Sequence, residues 1–211
     1  MSFETKERIV RAAEILFAKE GYAGTSLRQI TESAGVNIAA VNYHFGSKEN
    51  LLIEILDRVV GPINGERLQL LDEAQAEGTP DITAVLTAFL LPDLHVLDEL
   101  RSRDPALPRF VARMYSEDSE LMTGVMGRQF AETQTRFYTA FGSALPELSS
   151  EEMAWRLNCI VGIVVYLFAG VQVPGMPPML GSDMEANLAR LLSVTVTLMT
   201  APQTLEVSTP V

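Results

Sequence analysis

Between Gly21 and Asn50 the chain reads GYAGTSLRQITESAGVNIAAVNYHFGSKEN. Polar tips at Asn37, Asn42, Tyr43 and His44 alternate there with the short or apolar residues Ile38, Ala39 and Ala40. Small side chains let a helix lie close to the edges of base pairs. An asparagine amide can bond adenine through both its donor and its acceptor, so Asn42 is the residue best suited to that base. Asn37, Ile38, Ala39, Ala40 and Asn42 are therefore expected to face bases, while Thr25, Ser26, Tyr43, His44 and Lys48 bind phosphates and set the register. Bond-making chemistry has little to work with. The chain has two histidines, His44 and His95, and lacks an H-E-x-x-H, a C-x-x-C and a phosphate-cradling glycine loop. Asp93-Leu94-His95 is read as a satisfied histidine rather than a metal site. No catalytic residue, metal or cofactor is expected.

The elements that must hold these residues announce themselves by their caps. Ser26 and Gln29 have the spacing of a capping box ahead of Leu27 and Ile30, and Gly35 can end that helix in a left-handed conformation. Asn37 is a good N-cap for a second helix from Ile38 to about Phe45, closed by Gly46, and Ser47 opens a third. Val41 and Phe45, four residues apart, can face inward while the remainder faces out. Two short helices joined by a glycine turn are the sequence form of a helix-turn-helix, whose second helix enters the major groove. Ahead of them, Ile9, Ala12, Ala13, Leu16 and Phe17 mark one buried helical face ending at Gly21.

Four spaced strings carry a family resemblance: A-A-E-x-L-F (Ala12 to Phe17), G-Y-x-G-T-S (Gly21 to Ser26), I-x-x-x-A-G-V (Ile30 to Val36) and Y-H-F-x-S-K-E-x-L (Tyr43 to Leu51). Together they resemble the TetR family of transcriptional regulators. The chain departs from the usual Leu-Tyr at Val41-Asn42, so the base preferences of other members do not carry over. The resemblance implies dimerisation through the last two helices, and a fourth helix that transmits ligand binding to the DNA-reading head. V-x-x-x-N-x-E-R-L-x-L-L-D (Val60 to Asp72), with VNYHFGSKE, is similar to the fatty-acid-responsive branch, which implies a fatty acid or acyl-CoA effector; a drug-like compound is the other effector class.

Of the 211 residues, 47% are hydrophobic and 20% charged, enough for a sizeable core and too apolar for a disordered chain. The net charge of −11 is uneven: residues 1–48 hold six basic and five acidic side chains, leaving −12 on the rest. An acidic body keeps itself off phosphates. The single cysteine, Cys159, excludes an internal disulfide and reads as a buried thiol. Glu4, Lys6, Glu7 and Arg8 interrupt any leader peptide, and the apolar run Cys159 to Val171 is short for a membrane span, so a cytoplasmic location without membrane attachment is expected.

Beyond Ser47 the pattern predicts one long helix, kinked or broken near Gly61-Pro62, then a helix opened by Thr79-Pro80 and interrupted at Pro92. Further helices follow from about Phe110, from Ser119 to Phe141, from the Ser149/Glu152 box and from Asp183 to Thr200. The fold class is all-α: about nine helices, with a three-helix head at 1–47, a ligand-binding and dimerisation bundle at 48–201 and a flexible tail at 202–211. The last two helices are apolar enough to meet a symmetry copy as a C2 homodimer. Soft, bulky residues in the body are candidate ligand contacts: Phe89, Phe110, Met114, Met122, Met126, Phe130, Phe137 and Tyr166. The function expected is a ligand-responsive repressor that binds a palindromic double-stranded DNA operator as a dimer and is released by a small apolar effector. The alternatives are an activator without ligand release and a helical protein-interaction module.

Overall fold

A computed structural model describes residues 2–76, 78–117 and 120–202. Among these the chain is all-α: α1 (Ser2–Gly24), α2 (Leu27–Ala34), α3 (Ile38–Phe45), α4 (Lys48–Gln75), α5 (Ile82–Arg103), α6 (Pro108–Ser116), α7 (Glu120–Ala144), α8 (Ser150–Ala169) and α9 (Met184–Thr200). Apart from Pro202, the expected tail lies outside the described residues, as does Ser119.

The caps fall where the short polar residues put them. Ser26 and Gln29 form a reciprocal capping box, and Gly35 ends α2 at φ 63°. Asn37, Ser47 and Ser149 each accept a bond from the backbone N–H three residues on. Asp81, rather than Thr79-Pro80, caps α5. One buried face from each of α1, α2 and α3 (Ile9, Ala13 and Phe17; Ile30 and Ala34; Val41 and Phe45) closes the head's core. Arg8 fixes the α2 end by donating to Ala34 O at 2.5 Å and Gly35 O at 2.9 Å.

Two prolines lie inside continuous helices. The chain stays helical through Pro62, and Gly61 before it supplies a reason: with no Cβ it escapes the clash that drives a pre-proline residue out of the helical region. Pro92 does not interrupt α5, which continues to Arg103. A mid-helix proline costs about 3 kcal/mol. That cost is offset by a continuous buried stripe that includes Leu86, Leu90, Leu94, Leu97 and Leu100.

Helix α4 packs along α5 and α7, α5 lies against α9, and α6 sits between α1 and α8. Helix α8 alone among the described helices has the length and apolar composition of a membrane span, with a mean hydropathy of 1.4. Its Arg156 is nevertheless buried, paired with Glu152 and donating to Met199 O at 2.7 Å, which ties α8 to α9.

Candidate nucleic-acid interface and its linked cavity

Helix α3 buries Val41 and Phe45 and turns Asn37, Ile38, Ala39, Asn42 and Tyr43 outward, with Ala40 and His44 half-buried. Tyr43 is 81% exposed and stands edge-on to the His44 ring, with centroids 5.1 Å apart. Asn37 spends its Oδ1 on the Ala40 N–H, so its amide is oriented by the cap it makes. Ser26 is exposed at the start of α2, its hydroxyl shared with Gln29. Arg28, absent from the expected contacts, extends from α2 with an 87% exposed side chain paired only along the helix with Glu32. A basic residue on the outer face of the first helix of such a pair was the signal available for it.

Two expected phosphate contacts are turned inward. Thr25 is buried and its hydroxyl donates to Gly21 O at 2.8 Å. Lys48 donates to Tyr22 O and Thr25 O, both at 2.8 Å, and lies 4.0 Å from the Tyr22 ring centroid. Burial holds the Lys48 ammonium below its ordinary pKa, and the charge of Glu117 opposes that shift. Both residues serve the turn at the end of α1, from Gly21 to Thr25, instead of reaching out of the head.

That turn is the centre of the arrangement. Gly21 sits at φ 78°, ψ 169°, which breaks the α1 ladder. The N–H groups of Tyr22 and Ala23 thereby lose helical acceptors, and the carboxylate of Glu117 supplies both, at 3.2 and 3.1 Å. Glu117 is thus an N-cap delivered from the far end of α6, and Lys48 satisfies the carbonyl end of the same turn. Arg113, one helical turn before Glu117, donates to Ala18 O at 3.0 Å and Lys19 O at 2.9 Å. Further along α1, Glu14 is buried against Arg103 at 2.7 Å; burial raises its carboxyl pKa while Arg103 pulls it back down.

Lys48→Ala is expected to remove two charged hydrogen bonds and destabilise the turn by roughly 1–3 kcal/mol. Hydrogen exchange at residues 22–25 measures it. Unchanged protection there, with a shallower salt dependence of DNA binding, would return Lys48 to the phosphates.

Glu117, Lys48 and Arg113 together clamp this turn, and beside the clamp lies a cavity of about 620 Å³, walled by α5, α6, α7 and α8 with Arg67 of α4 at one side. Of the candidate ligand contacts, Phe89, Met114, Met122, Met126, Phe130 and Phe137 line it, joined by Tyr115, Tyr138, Gln134, Asn158 and Glu117. Phe110 does not: it turns away and stacks on Phe17, with centroids 6.2 Å apart. Tyr166 is also elsewhere, in a smaller cleft with Arg101 and Arg109. Phe89 meets Phe137 edge-on at 5.3 Å, forming part of an aromatic wall.

Arg67 donates to Phe89 O at 3.0 Å and pairs with buried Asp93 at 2.5 Å, its guanidinium 4.3 Å from the Phe89 ring centroid. Burial pushes the Asp93 carboxyl up, against the pull of Arg67. Part of what Tyr115 exposes lines the cavity, and burial pushes its phenol up to about 12, so it stays neutral as a donor.

Family comparison places this geometry. Residues 87–201 match the model of the tetracyclin repressor-like C-terminal domain, and residues 9–55 that of the bacterial regulatory proteins of the tetR family. The chain belongs to the TetR family. Among the relatives of this TetR-family regulator is a Bacillus subtilis protein named as a probable HTH-type transcriptional regulator, YttP, 28% identical over 60% of this chain and 58% of its own length. The HTH-type transcriptional repressor NicS of Pseudomonas putida is 38% identical over 34% of this chain and 36% of its own length. The alignments therefore span only about a third to just over half of these two relatives. The structure of SmeT in a triclosan complex shares the fold over 98% of this chain and 99% of that one, with TM-score 0.62 and 22% identity.

Proposed function

We propose that this TetR-family regulator is a homodimeric, ligand-responsive repressor: a reading head, residues 1–47, carried by a body, residues 48–201. Two α3 helices occupy successive major grooves of a palindromic operator, with half-sites about 34–36 Å apart. Asn37, Ile38, Ala39, Ala40 and Asn42 face base edges, and Ser26, Tyr43, His44 and the newly recognised Arg28 hold phosphates. Trp155 on α8 and Val194 on α9, 59% and 58% exposed, belong to the face that meets the partner. A small apolar effector fills the cavity, whose volume is within the usual range of about 300–1,000 Å³. An acyl chain follows from the resemblance of Val60 to Asp72, and a ring-bearing compound from the aromatic wall. NicS is named a repressor and SmeT is solved with triclosan, which makes both halves of the reading reasonable for this fold. Transcriptional work of this kind places the protein in the cytoplasm.

The observation that carries the reading is Glu117, a lining residue of the cavity whose carboxylate caps the head's Gly21–Thr25 turn. A ligand in the cavity that reaches Glu117 touches the support of the head. An effector that prefers a conformation with that support altered shifts the population away from the operator. The test is a footprint on the protein's own upstream region, with log affinity falling linearly against log salt. Absent or sequence-independent binding at ~100 mM salt ends the proposal. Asn42→Ala is expected to relax preference at one base pair per half-site by about 1–3 kcal/mol, read by binding-site selection. An unchanged preference removes Asn42 from the base-reading set.

A further inference from the structure

The charges around the cavity also specify the sign of what it binds. Among the described lining residues, Arg67 and Glu117 are the only charged side chains. Arg67 is already engaged: Asp93, Phe89 O and the Phe89 ring surround its guanidinium. An acyl anion would have to draw Arg67 from Asp93, whose side chain is only 9% exposed, and strand that carboxylate in the interior. Glu117 is in the opposite condition. Among the described residues it has no ion pair, and its bonds go to the neutral amides of Tyr22 and Ala23. The cations nearest in the clamp, Lys48 and Arg113, are engaged with backbone carbonyls.

We propose that the effector is a lipophilic cation whose charged head draws the Glu117 carboxylate away from the Tyr22 and Ala23 amides. This rests on the reading of the chain as an effector-released DNA binder and names the chemistry of that release. The cation gains a charge pair and leaves the buried Arg67–Asp93 pair intact; what it withdraws is the support of the Glu117 charge for the half-buried Lys48 ammonium. Its apolar part lies among Phe89, Phe130, Phe137, Tyr115 and Tyr138, whose ring faces attract positive charge, and beside the polarizable methionines. The chain's net charge of −11, carried wholly outside the first 48 residues, draws cations to the body and repels anions from it. Once Glu117 turns to the ligand, two N–H groups in the turn lose their acceptor. Gly21–Thr25 then relaxes, and with it the seat of α2 and Lys48.

Three probes with a ten-carbon chain that differ in head group separate the possibilities: decyltrimethylammonium, decan-1-ol and decanoate, each below its micelle concentration. Calorimetry on the full chain without DNA is expected to show the ammonium binding about tenfold more tightly than either of the others. Glu117→Gln is expected to abolish that preference while the alcohol still binds. Exchange at the amides of Tyr22 and Ala23 should accelerate with the ammonium and not with the alcohol. Decanoate binding tightest, equal affinities for the three, no ammonium binding, or a preference that survives Glu117→Gln each overturns the proposal. None of these measurements involves DNA, so the operator footprint stands or falls separately.

Discussion

Replacing Asp93 by alanine is expected to cost this protein about 3–5 kcal/mol of stability, the penalty for leaving a buried charge without its partner. Arg67 side-chain exposure is 4%, so water cannot take over the lost role. The bond to Phe89 O survives, and so does the ring contact, but neither neutralises a full positive charge. For a chain of this size the loss corresponds to a fall of roughly 6–20 °C in melting temperature. Urea denaturation at neutral pH measures it directly. The paired replacement Arg67→Met with Asp93→Leu should recover most of the loss, because a well-packed apolar pair of similar volume does as well as a buried ion pair. A loss below about 1 kcal/mol in Asp93→Ala would mean that solvent reaches the pair. The consequence extends beyond stability, since this pair fastens α4, which begins at the head, to α5, which walls the cavity.

That pair also shows where sequence reading stops. Caps are local, decided within three or four residues, so Ser26, Asn37, Ser47 and Ser149 could be placed from residue type and spacing. The outward face of α3 followed from Val41 and Phe45 for the same reason. Lys48 looked like a phosphate contact because a lysine beside a recognition helix has no local partner. Its acceptors lie 26 and 23 residues back, on a turn whose shape only the folded head creates. Phe110 and Phe137 have similar surroundings in sequence, yet one packs on Phe17 and the other walls the cavity. Helical periodicity gives a buried side, not the neighbour on that side.

Arg67 and Asp93 did leave a trace. Arg67 lies four residues from each of buried Ile63 and Leu71, and Asp93 lies three after Leu90 and four before Leu97. Opposite charges on the buried stripes of consecutive helices predict each other. His95, read as a satisfied histidine, contacts Glu66 at 2.8 Å.

Gly21→Ala is expected to weaken the operator complex about tenfold or more, by an amount set in the backbone rather than at the DNA. With φ 78° and ψ 169° this residue lies in a region that is essentially reserved for glycine, and a side chain there costs about 1–3 kcal/mol. The added Cβ would also sit 3.2 Å from Arg113 Nη1 and 3.7 Å from Glu117 Oε2, the two side chains that grip this end of α1. Alanine favours continuing α1 as a regular helix, which would swing Tyr22 and Ala23 out of reach of Glu117 and lift Thr25 from Lys48. Loss of affinity should therefore come with faster exchange at residues 22–25, while circular dichroism and decan-1-ol binding in the cavity stay close to the parent. Gly65→Ala provides the opposite sign. That glycine is exposed within α4 and has nothing within 4 Å of an added Cβ, so alanine there should stabilise the fold by about 0.5–1 kcal/mol. If Gly21→Ala binds the operator as tightly as the parent, the turn is not the link between cavity and head, and α4 alone must carry the signal.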